Sequence, residues 1–414
     1  MKKRTTNPTR PTRRDFLAGV GTAAVGVFTI VTPGLVRGAQ TGTTINLGMI
    51  GCGGRGSWIA GLFMRHGGYK MAAAYDYFQD RTDAFGGEFN IPAERRFNGL
   101  TGYKRLLERG GVDAVAIESP PYFHPEQAAA AVDAGKHVYL AKPIAVDVPG
   151  CRSVADSGKR ATAHKLCFLV DFQTRANNAF IEAVRRVHDG AIGAFAFGEA
   201  SYHAGVPWTK HFQYLETKPV TAETWLRAWG LSRALSGDII TEQNIHTLDV
   251  MNWIMQRPPL QAVGTGNQKV RLIGESWDHF SVIYQYPDQV DVSFTSRQFE
   301  GHDTVPEGIR NRMFGTRGVL ETEYGGSVLI RGTHFYNGGK TSGIYEEGAV
   351  NNIAAFHAAI QKGDAANPTV EPSVQSNLVT LLGRKAAYEK RPVTWNELVN
   401  DNERLVPDLK GLKD

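Results

Sequence analysis

A glycine-rich turn near the start of the chain constrains its fold more than any other feature. Residues 51–56 read Gly-Cys-Gly-Gly-Arg-Gly. They follow a short apolar run, residues 44–50, and precede a helical pattern, residues 57–65. A G-x-G-x-x-G turn between a buried strand and a helix is the pattern that binds a dinucleotide in a Rossmann fold. The turn therefore predicts a dinucleotide-binding domain at this end of the chain.

The three glycines of the G-x-G-x-x-G pattern each have a predicted task. Gly51 permits the tight turn, Gly53 lets the backbone approach a pyrophosphate, and Gly56 lets the helix pack closely on the strand. The amide groups at the start of the helix then face the phosphates. The predicted cofactor contacts in the turn are Gly51, Gly53, Gly54, Arg55 and Gly56.

An acidic residue at the expected distance supports this interpretation. Asp76 ends the next predicted strand, residues 70–75, and lies twenty residues after Gly56. A carboxylate there accepts hydrogen bonds from the adenosine ribose and repels a 2′-phosphate, which favours NAD over NADP. Arg81 is close enough in sequence to leave NADP open.

Strands and helices alternate through the first part of the chain, which is typical of βαβ units and a parallel sheet. Further along, the predicted strands are longer and alternate between apolar and polar residues, which indicates an open, mostly antiparallel sheet. We therefore predict an α/β protein, with an NAD-binding Rossmann domain at residues 40–165 and a C-terminal domain for substrate binding and oligomerisation at residues 166–414. The predicted strands are residues 44–50, 70–75, 114–117, 137–140, 165–171, 194–202, 262–266, 279–286 and 290–296. The predicted helices are residues 57–65, 101–109, 124–134, 179–188, 351–361 and 373–390.

The basic charge of the chain is concentrated at its beginning. Seven of the 46 Lys and Arg residues, but one of the 41 acids, lie in the first forty positions. The remaining 39 basic and 40 acidic residues leave the body nearly neutral, which argues against a nucleic-acid partner.

The same forty residues resemble an export signal. Arg13 and Arg14 are followed by Asp-Phe-Leu and a mildly apolar stretch, residues 18–31. We predict a twin-arginine signal at residues 1–39, recognition by the twin-arginine export machinery, and a periplasmic location. Because this route carries folded proteins, we expect a tightly bound cofactor. A disordered basic tail on a cytoplasmic enzyme and an uncleaved membrane anchor are the alternatives.

The three cysteines indicate neither disulfides nor a zinc site. Cys52, Cys151 and Cys167 form no C-x-x-C pair, and no cluster of histidines and acids accompanies them. No metal is predicted.

Two further segments carry candidate chemistry. Lys142 follows the predicted strand 137–140, and the ends of parallel strands line the ligand crevice of such a sheet. Glu242 and His246 are four residues apart in a predicted helix over 242–249, so they share one face.

Together with the glycine turn, these segments resemble the Gfo/Idh/MocA oxidoreductases over roughly residues 44–395. The resemblance implies a Rossmann domain followed by an α/β domain, a nicotinamide cofactor that also contacts Ser119, Pro120, His124 and Lys142, and assembly into dimers or tetramers. It places Lys142 and His246 on either side of a substrate hydroxyl. The motifs after the turn are Ser-Pro-Pro-Tyr-Phe-His at 119–124, Gly-Lys-His-Val at 135–138, Lys-Pro at 142–143, Gln-Thr-Arg at 173–175, and the acid and histidine at 242 and 246.

Three positions depart from the family pattern. Ala141 stands where the family usually has a Glu that helps order the cofactor side of the site, so its contacts must come from elsewhere. Glu242 stands where Asp is usual, and Asn244 stands where relatives often carry Gly.

The implied chemistry is hydride transfer between a sugar or polyol carbon and the nicotinamide. His246 is the predicted general base, Glu242 orients it or holds substrate, and Lys142 stabilises the reacting oxygen. The predicted substrate-binding residues are Arg175, His203, Trp208 and Asn244. Weaker candidates are Tyr202, Lys210, His211 and Trp225, while Trp253 is expected in the core.

Two other functions stay open. One is a redox-neutral cycle, as in an NAD-dependent glycosidase or a sugar–sugar oxidoreductase, which needs no external acceptor after export. The other is a non-catalytic nucleotide-binding protein, which the loss of Glu at position 141 slightly favours and the presence of both Lys142 and His246 opposes.

Overall fold

A computed structural model describes residues 44–414, so the predicted export signal at residues 1–39 lies outside the described residues. Within that range the secondary structure divides between two sheets and the helices that cover them. The predicted α/β class, a parallel Rossmann sheet followed by a mostly antiparallel one, is confirmed. The strands are β1 (Ile45–Ile50), β2 (Tyr69–Tyr75), β3 (Arg96–Phe97), β4 (Ala114–Ile117), β5 (His137–Ala141), β6 (Phe168–Asp171), β7 (Phe195–Ala204), β8 (Gln261–Asn267), β9 (His279–Tyr286), β10 (Val290–Gln298), β11 (Gly308–Gly315), β12 (Gly318–Glu323), β13 (Ser327–Gly332), β14 (Tyr336–Lys340) and β15 (Val393–Thr394).

The helices connect these strands and cover their faces. Most helices predicted from the sequence are present, with ends shifted by a few residues. The helices are α1 (Gly54–His66), α2 (Gln79–Glu88), α3 (Gly102–Arg109), α4 (His124–Asp133), α5 (Val148–Ala163), α6 (Asn178–His188), α7 (Thr209–Thr217), α8 (Ala222–Arg227), α9 (Arg233–Ser236), α10 (Ile239–Glu242), α11 (Ile245–Met255), α12 (Ile344–Lys362), α13 (Val370–Glu389) and α14 (Trp395–Val399).

The first sheet has six parallel strands in the order β3-β2-β1-β4-β5-β6. Its central strands are buried on both faces, and β4 is an unbroken apolar run, as expected for a parallel sheet covered by helices. β6, which the predicted boundary after residue 165 leaves in the second domain, pairs with β5 in this sheet. The carboxyl ends of all these strands meet at one edge, where the ligand crevice of such a fold lies.

The second sheet has nine strands in the order β14-β13-β12-β11-β7-β10-β9-β8-β15. Its pairs are antiparallel except for β7 with β10. Alternate residues of β10 are buried, as one covered face requires. The covered face packs on α11 and α13. On the other face Phe197 stacks on Phe314 with 4.4 Å between ring centroids.

A segment without helix or strand, residues 400–414, returns to the first sheet. The amide of Leu100 donates to the carbonyl of Lys413 at 2.8 Å, and the amide of Lys413 donates to the hydroxyl of Tyr77 at 3.2 Å. Leu412 joins the small apolar cluster around Phe78. The end of the described chain therefore packs beside the loop that follows β2.

None of the helices found in residues 44–414 is long and apolar enough to cross a membrane.

Candidate active site

The glycine turn has the close approaches that its pattern predicts. Gly51 has a φ of +99°, and a Cβ there would lie 2.6 Å from the carbonyl carbon of Glu118. A Cβ on Gly56 would lie 1.9 Å from the carbonyl oxygen of Gly51. Neither position has room for a side chain, because α1 packs on the turn and the turn packs on the end of β4.

The middle of the turn is open instead. No described atom lies within 4 Å of a Cβ placed on Gly54, and the nearest to one on Gly53 is Arg81 at 3.8 Å. Both glycines line a cavity of about 290 Å³, and the first turn of α1 carries no acid. An open backbone at a helix N-terminus fits the pyrophosphate of a dinucleotide.

Asp76 lies in the same cavity, at the end of β2. One carboxylate oxygen accepts the amide of Cys52 at 3.0 Å, and the other accepts the amide of Phe78 at 3.0 Å. Burial raises the pKa of Asp76, while Arg81, at 3.9 Å, and the two amides lower it. The side chain is thus held firmly in the wall of the cavity that also contains the glycine turn.

A second cavity, of about 360 Å³, adjoins the first and contains Lys142, Glu242 and His246. Its wall also includes Gln173, Asp171 and Tyr202. The residues that line both cavities are Arg55, Glu118, Ser119, Trp208 and Trp229. A ligand bound in the first cavity can therefore extend along this shared wall into the second cavity.

Lys142 and Glu242 contact each other directly. The ammonium of Lys142 donates to the carbonyl oxygen of Glu242 at 2.7 Å and lies 3.4 Å from Oε1 of its carboxylate. The side-chain amide of Gln243 donates to the other carboxylate oxygen, and the hydroxyl of Tyr202 donates to Gln243 at 2.8 Å. Glu242 thus orients Lys142, whereas the sequence suggested that it orients His246 or holds substrate.

The predicted helix over residues 242–249 is interrupted: residues 245–249 lie in α11, but the backbone breaks between α10 and α11. The amide of Asn244 bonds to the carbonyl of Ile239 at 2.8 Å, which is one residue wider than α-helical spacing. α10 ends at Glu242, and α11 begins at Ile245. Glu242 and His246 still face one cavity, although not through a common helix face.

His246 has the properties of a neutral base. Burial lowers its pKa well below the ordinary value, and the nearby cations Lys142 and Arg55 lower it further. Its Nδ1 is buried and has no hydrogen-bond partner within residues 44–414. The ring packs against Tyr324 with 5.5 Å between centroids. A neutral ring with a free nitrogen can accept a proton.

His124 joins the two loops that form the floor of the site. Its ring nitrogens lie 2.7 Å from the carbonyl oxygens of Ser119 and Pro143. Burial lowers the pKa of His124 to about 4, and the contacts with the two carbonyl oxygens oppose this shift. The ring therefore fixes the Ser119–Pro120 segment relative to Lys142. Ser119 in turn donates to Gln127 at 2.5 Å.

Of the other residues predicted to bind substrate, Tyr202 and Trp208 line the second cavity, and His211 lines the first beside Trp208. Lys210 and Trp225 line neither cavity. Trp208 lies over Gly230, where a Cβ would come within 2.6 Å of the indole ring.

Arg175 and His203 do not reach the cleft, contrary to prediction. The guanidinium of Arg175 bonds to both carboxylate oxygens of the buried Asp249, at 2.9 and 3.0 Å, and stacks on Trp253. His203 lies on the open face of the second sheet, 3.1 Å from Thr295 Oγ1. It points there because side chains alternate between the two faces of β7.

Asn244 is fully buried and does not line the cavity of Lys142 and His246. Neither atom of its side-chain amide has a hydrogen-bond partner in residues 44–414. Its position just before α11, at the backbone break, explains why it is not carried into the cleft with its neighbours.

The sequence interpretation missed several residues of the site. Asp171 ends β6 as Lys142 follows β5, so the strand-end argument that identified Lys142 applies to it as well. Glu118 follows β4 in the same way. Trp229, Tyr324 and Tyr345 also line the site but lie in no recognisable motif.

Within residues 44–414 there is no group of three His, Cys, Asp or Glu side chains arranged to hold a metal ion.

Two family models match the chain. Residues 45–170 match an oxidoreductase family with an NAD-binding Rossmann fold, GFO_IDH_MocA, and residues 180–321 match the GFO/IDH/MocA C-terminal domain. Together the two matches cover well over half of the chain.

Curated relatives carry names from sugar chemistry. A glycosyl hydrolase family 109 protein of Shewanella pealeana is 26% identical over 245 residues, which are 53% of this chain and 51% of the relative. The chain thus spans about half the length of that relative. A 1,5-anhydro-D-fructose reductase of Ensifer adhaerens is 25% identical over 350 residues, which are 80% of this chain and 92% of the relative.

Solved structures share the fold. The aldose-aldose oxidoreductase of Caulobacter crescentus has a TM-score of 0.66 at 19% identity, over 85% of this chain and 99% of that one. The scyllo-inositol dehydrogenase of Lactobacillus casei, solved with NAD(H) and scyllo-inositol, has a TM-score of 0.67 at 18% identity, over 86% of this chain and 100% of that one.

Proposed function

Because this chain belongs to the Gfo/Idh/MocA oxidoreductase family, we propose that it transfers a hydride between a nicotinamide cofactor and a carbon of a sugar or polyol that bears a hydroxyl group. One observation carries the proposal. A cavity that holds a lysine and a neutral histidine adjoins the cavity under the glycine turn, and the two share a wall. A hydroxyl group bound in the second cavity therefore has a base and a cation beside it.

The cofactor is NAD, and it is tightly bound. Gly53 and Gly54 leave room for the pyrophosphate, and Asp76 presents a carboxylate to the adenosine ribose. Arg81 beside Asp76 leaves some affinity for NADP. When bound, NAD supplies the hydride acceptor of the reaction.

The proton of the substrate hydroxyl passes to His246, which is neutral because burial and the neighbouring cations lower its pKa. The ammonium of Lys142 donates to the reacting oxygen and stabilises negative charge on it. Glu242 holds Lys142 in place through its carbonyl and its carboxylate. Tyr202 and Trp208 contribute polar and apolar contacts to the substrate.

Replacing Lys142 tests this arrangement. We expect Lys142→Met to lower turnover about a hundredfold or more while the bound nucleotide is retained. Lys70→Met, at an exposed position in β2, is the matched control and keeps full activity. Near wild-type turnover of Lys142→Met with cofactor bound would refute the proposed role.

The names of the relatives favour a second candidate, a redox-neutral cycle in which the bound NAD is reduced and then reoxidised. A glycosyl hydrolase family 109 protein and an aldose-aldose oxidoreductase are both among the similar proteins. Incubating the purified protein with single sugars and with sugar pairs, without added cofactor, separates the candidates. Steady product formation supports the redox-neutral cycle, whereas a stoichiometric rise in reduced nicotinamide absorbance that then stops supports a dehydrogenase with an external acceptor.

We further propose that the protein is exported through the twin-arginine route and acts in the periplasm. The motif at Arg13 and Arg14 supports this proposal. Replacing both arginines by lysine is expected to leave the protein in the cytoplasm, as fractionation would detect.

A homo-oligomer through the open face of the second sheet is also proposed. Exposed apolar residues support it, with Phe197 45% and Ile283 43% exposed on β7 and β9. Phe197→Glu is expected to yield a smaller species on size-exclusion chromatography.

A further inference from the structure

The wall shared by the two cavities contains a buried carboxyl group, that of Glu118, whose one close charged partner among the described residues is Arg55. The side chain of Glu118 has no exposed surface, and it lines both cavities. Neither of its oxygens accepts a hydrogen bond within the described residues. Arg55 comes closest, with its Nε 3.4 Å from Oε2. A buried carboxylate without a donor is costly, so a donor from a ligand is the natural partner for it.

The neighbouring acid shows the contrast. Asp171, equally buried, accepts the guanidinium of Arg55 at 2.6 Å on one oxygen and the side-chain amide of Asn352 at 2.8 Å on the other. Arg55 thus hydrogen-bonds to Asp171 and forms a longer ion pair with Glu118. Of these two acids, Glu118 is the one with free acceptor positions.

The register of the first sheet explains where this carboxylate stands. Ile117 pairs with Leu140, and Ala141 pairs with Asp171, so Glu118, Ala141 and Asp171 end three adjacent strands side by side. An acid at position 141 would lie between two other carboxylates. Alanine there avoids a cluster of like charges, and the acid is supplied from β4 instead.

The position of Glu118 between the two cavities indicates which part of a ligand it would contact. The glycine turn and Asp76 define the end of the first cavity where the pyrophosphate and adenosine fit, while Lys142 and His246 define the reacting end of the second. The part of a dinucleotide that spans the shared wall is its nicotinamide half. Burial raises the pKa of Glu118 to about 7, so its carboxyl group can accept or donate a hydrogen bond. The nicotinamide half carries ribose hydroxyls and a carboxamide, which offer both donors and acceptors to it.

We propose that Glu118 is a further cofactor-binding residue, whose carboxyl group binds the nicotinamide half of NAD from the end of β4 and takes the place of the acid that the family resemblance implies at position 141. This inference rests on the proposed function, because it requires NAD in the first cavity. The absence of an acid at position 141 is then compensated by Glu118, at the end of the adjacent strand.

Comparing two ligands tests the proposal. NAD contains the nicotinamide half, whereas ADP lacks it, and binding of each to the full chain can be measured by calorimetry after bound nucleotide is removed. We expect Glu118→Ala to weaken NAD binding about tenfold, the loss of one hydrogen bond to a charged group, and to leave ADP binding unchanged. Unchanged ADP binding also shows that the pocket is folded. Glu108→Ala, at an exposed position in α3, is the control and alters neither affinity.

The double variant Glu118→Ala/Ala141→Glu provides the second arm. We expect it to recover most of the NAD affinity, because the carboxylate returns to the adjacent strand end. Equal affinity of wild type and Glu118→Ala for NAD, equal loss of NAD and ADP binding, or no recovery in the double variant would each overturn the inference. Failure of the wild-type protein to bind NAD would instead refute the proposed function.

Discussion

The contact between Gly56 and Gly51 allows a quantitative test of the cofactor turn. In Gly56→Ala the new Cβ would lie 1.9 Å from the carbonyl oxygen and 3.0 Å from the carbonyl carbon of Gly51. Both atoms belong to the backbone, so no flexible side chain can move aside. Either α1 shifts away from β1, or the turn deforms and Gly51 is pressed against Glu118.

The cost follows from two opposing effects. Forcing extra atoms into a packed site usually costs about 1–3 kcal/mol, and a clash between backbone atoms lies at the upper end. Replacing glycine by alanine in a helix returns about 0.5–1 kcal/mol. We therefore expect Gly56→Ala to lower the free energy of unfolding by about 2 kcal/mol.

Gly61 in the same helix provides the matched control. A Cβ on Gly61 would meet no described atom within 4 Å, so Gly61→Ala gains the helical preference without a clash and is expected to stabilise the protein by about 0.5–1 kcal/mol. Urea unfolding followed by tryptophan fluorescence measures both changes, and NAD titration shows whether the turn keeps its shape. Equal stability and equal NAD affinity of the two variants would show that the turn is not packed as described.

Three further predictions concern the site. Burial and the cations Lys142 and Arg55 lower the pKa of His246, so activity should fall on acidification only below about pH 6.5, where the ring becomes protonated. The pH profile of kcat/KM measures this, and a fall that begins above that pH would contradict His246 as a neutral base. Asp76→Ser removes the carboxylate but leaves Arg81, so the ratio of NADP affinity to NAD affinity should rise. Titration with both cofactors measures this ratio, and an unchanged ratio would contradict the prediction. His203→Ala should leave kcat and KM unchanged, because the ring lies on the open face of the second sheet. A loss of turnover without a change in oligomer size would show instead that His203 contributes to the cleft.

The first sheet is predictable from the sequence because its signals are local. Five of its six strands are short apolar runs that end at a turn, and the glycine pattern depends on the conformations of neighbouring residues. β3, which is only Arg96–Phe97, was not predicted. The strands from Gly308 to Lys340 were not predicted. They are short and rich in glycine. β11 pairs with β7, more than a hundred residues away, and β12, β13 and β14 then add to it in turn.

The residues of the site show the same difference between local and tertiary signals. Lys142 follows a strong strand and could be placed at the crevice, whereas the partners of Arg175 and Glu242 depend on tertiary contacts. Asp249 captures Arg175 from α11, and a backbone break separates Glu242 from the helix of His246. Sequence spacing gives the face of a continuous helix, but it does not show where a helix is interrupted.

The segment of residues 400–414 has a consequence for the timing of biosynthesis. Lys413 bonds to Tyr77 across 336 positions of sequence, and Tyr77 lines the cavity under the glycine turn. At about 5–20 residues per second, a ribosome makes these two residues on the order of tens of seconds apart. The first sheet can therefore form before the segment that packs beside it has been made, and Tyr77 and Leu100 gain their hydrogen bonds to Lys413 only when translation reaches the end of this segment.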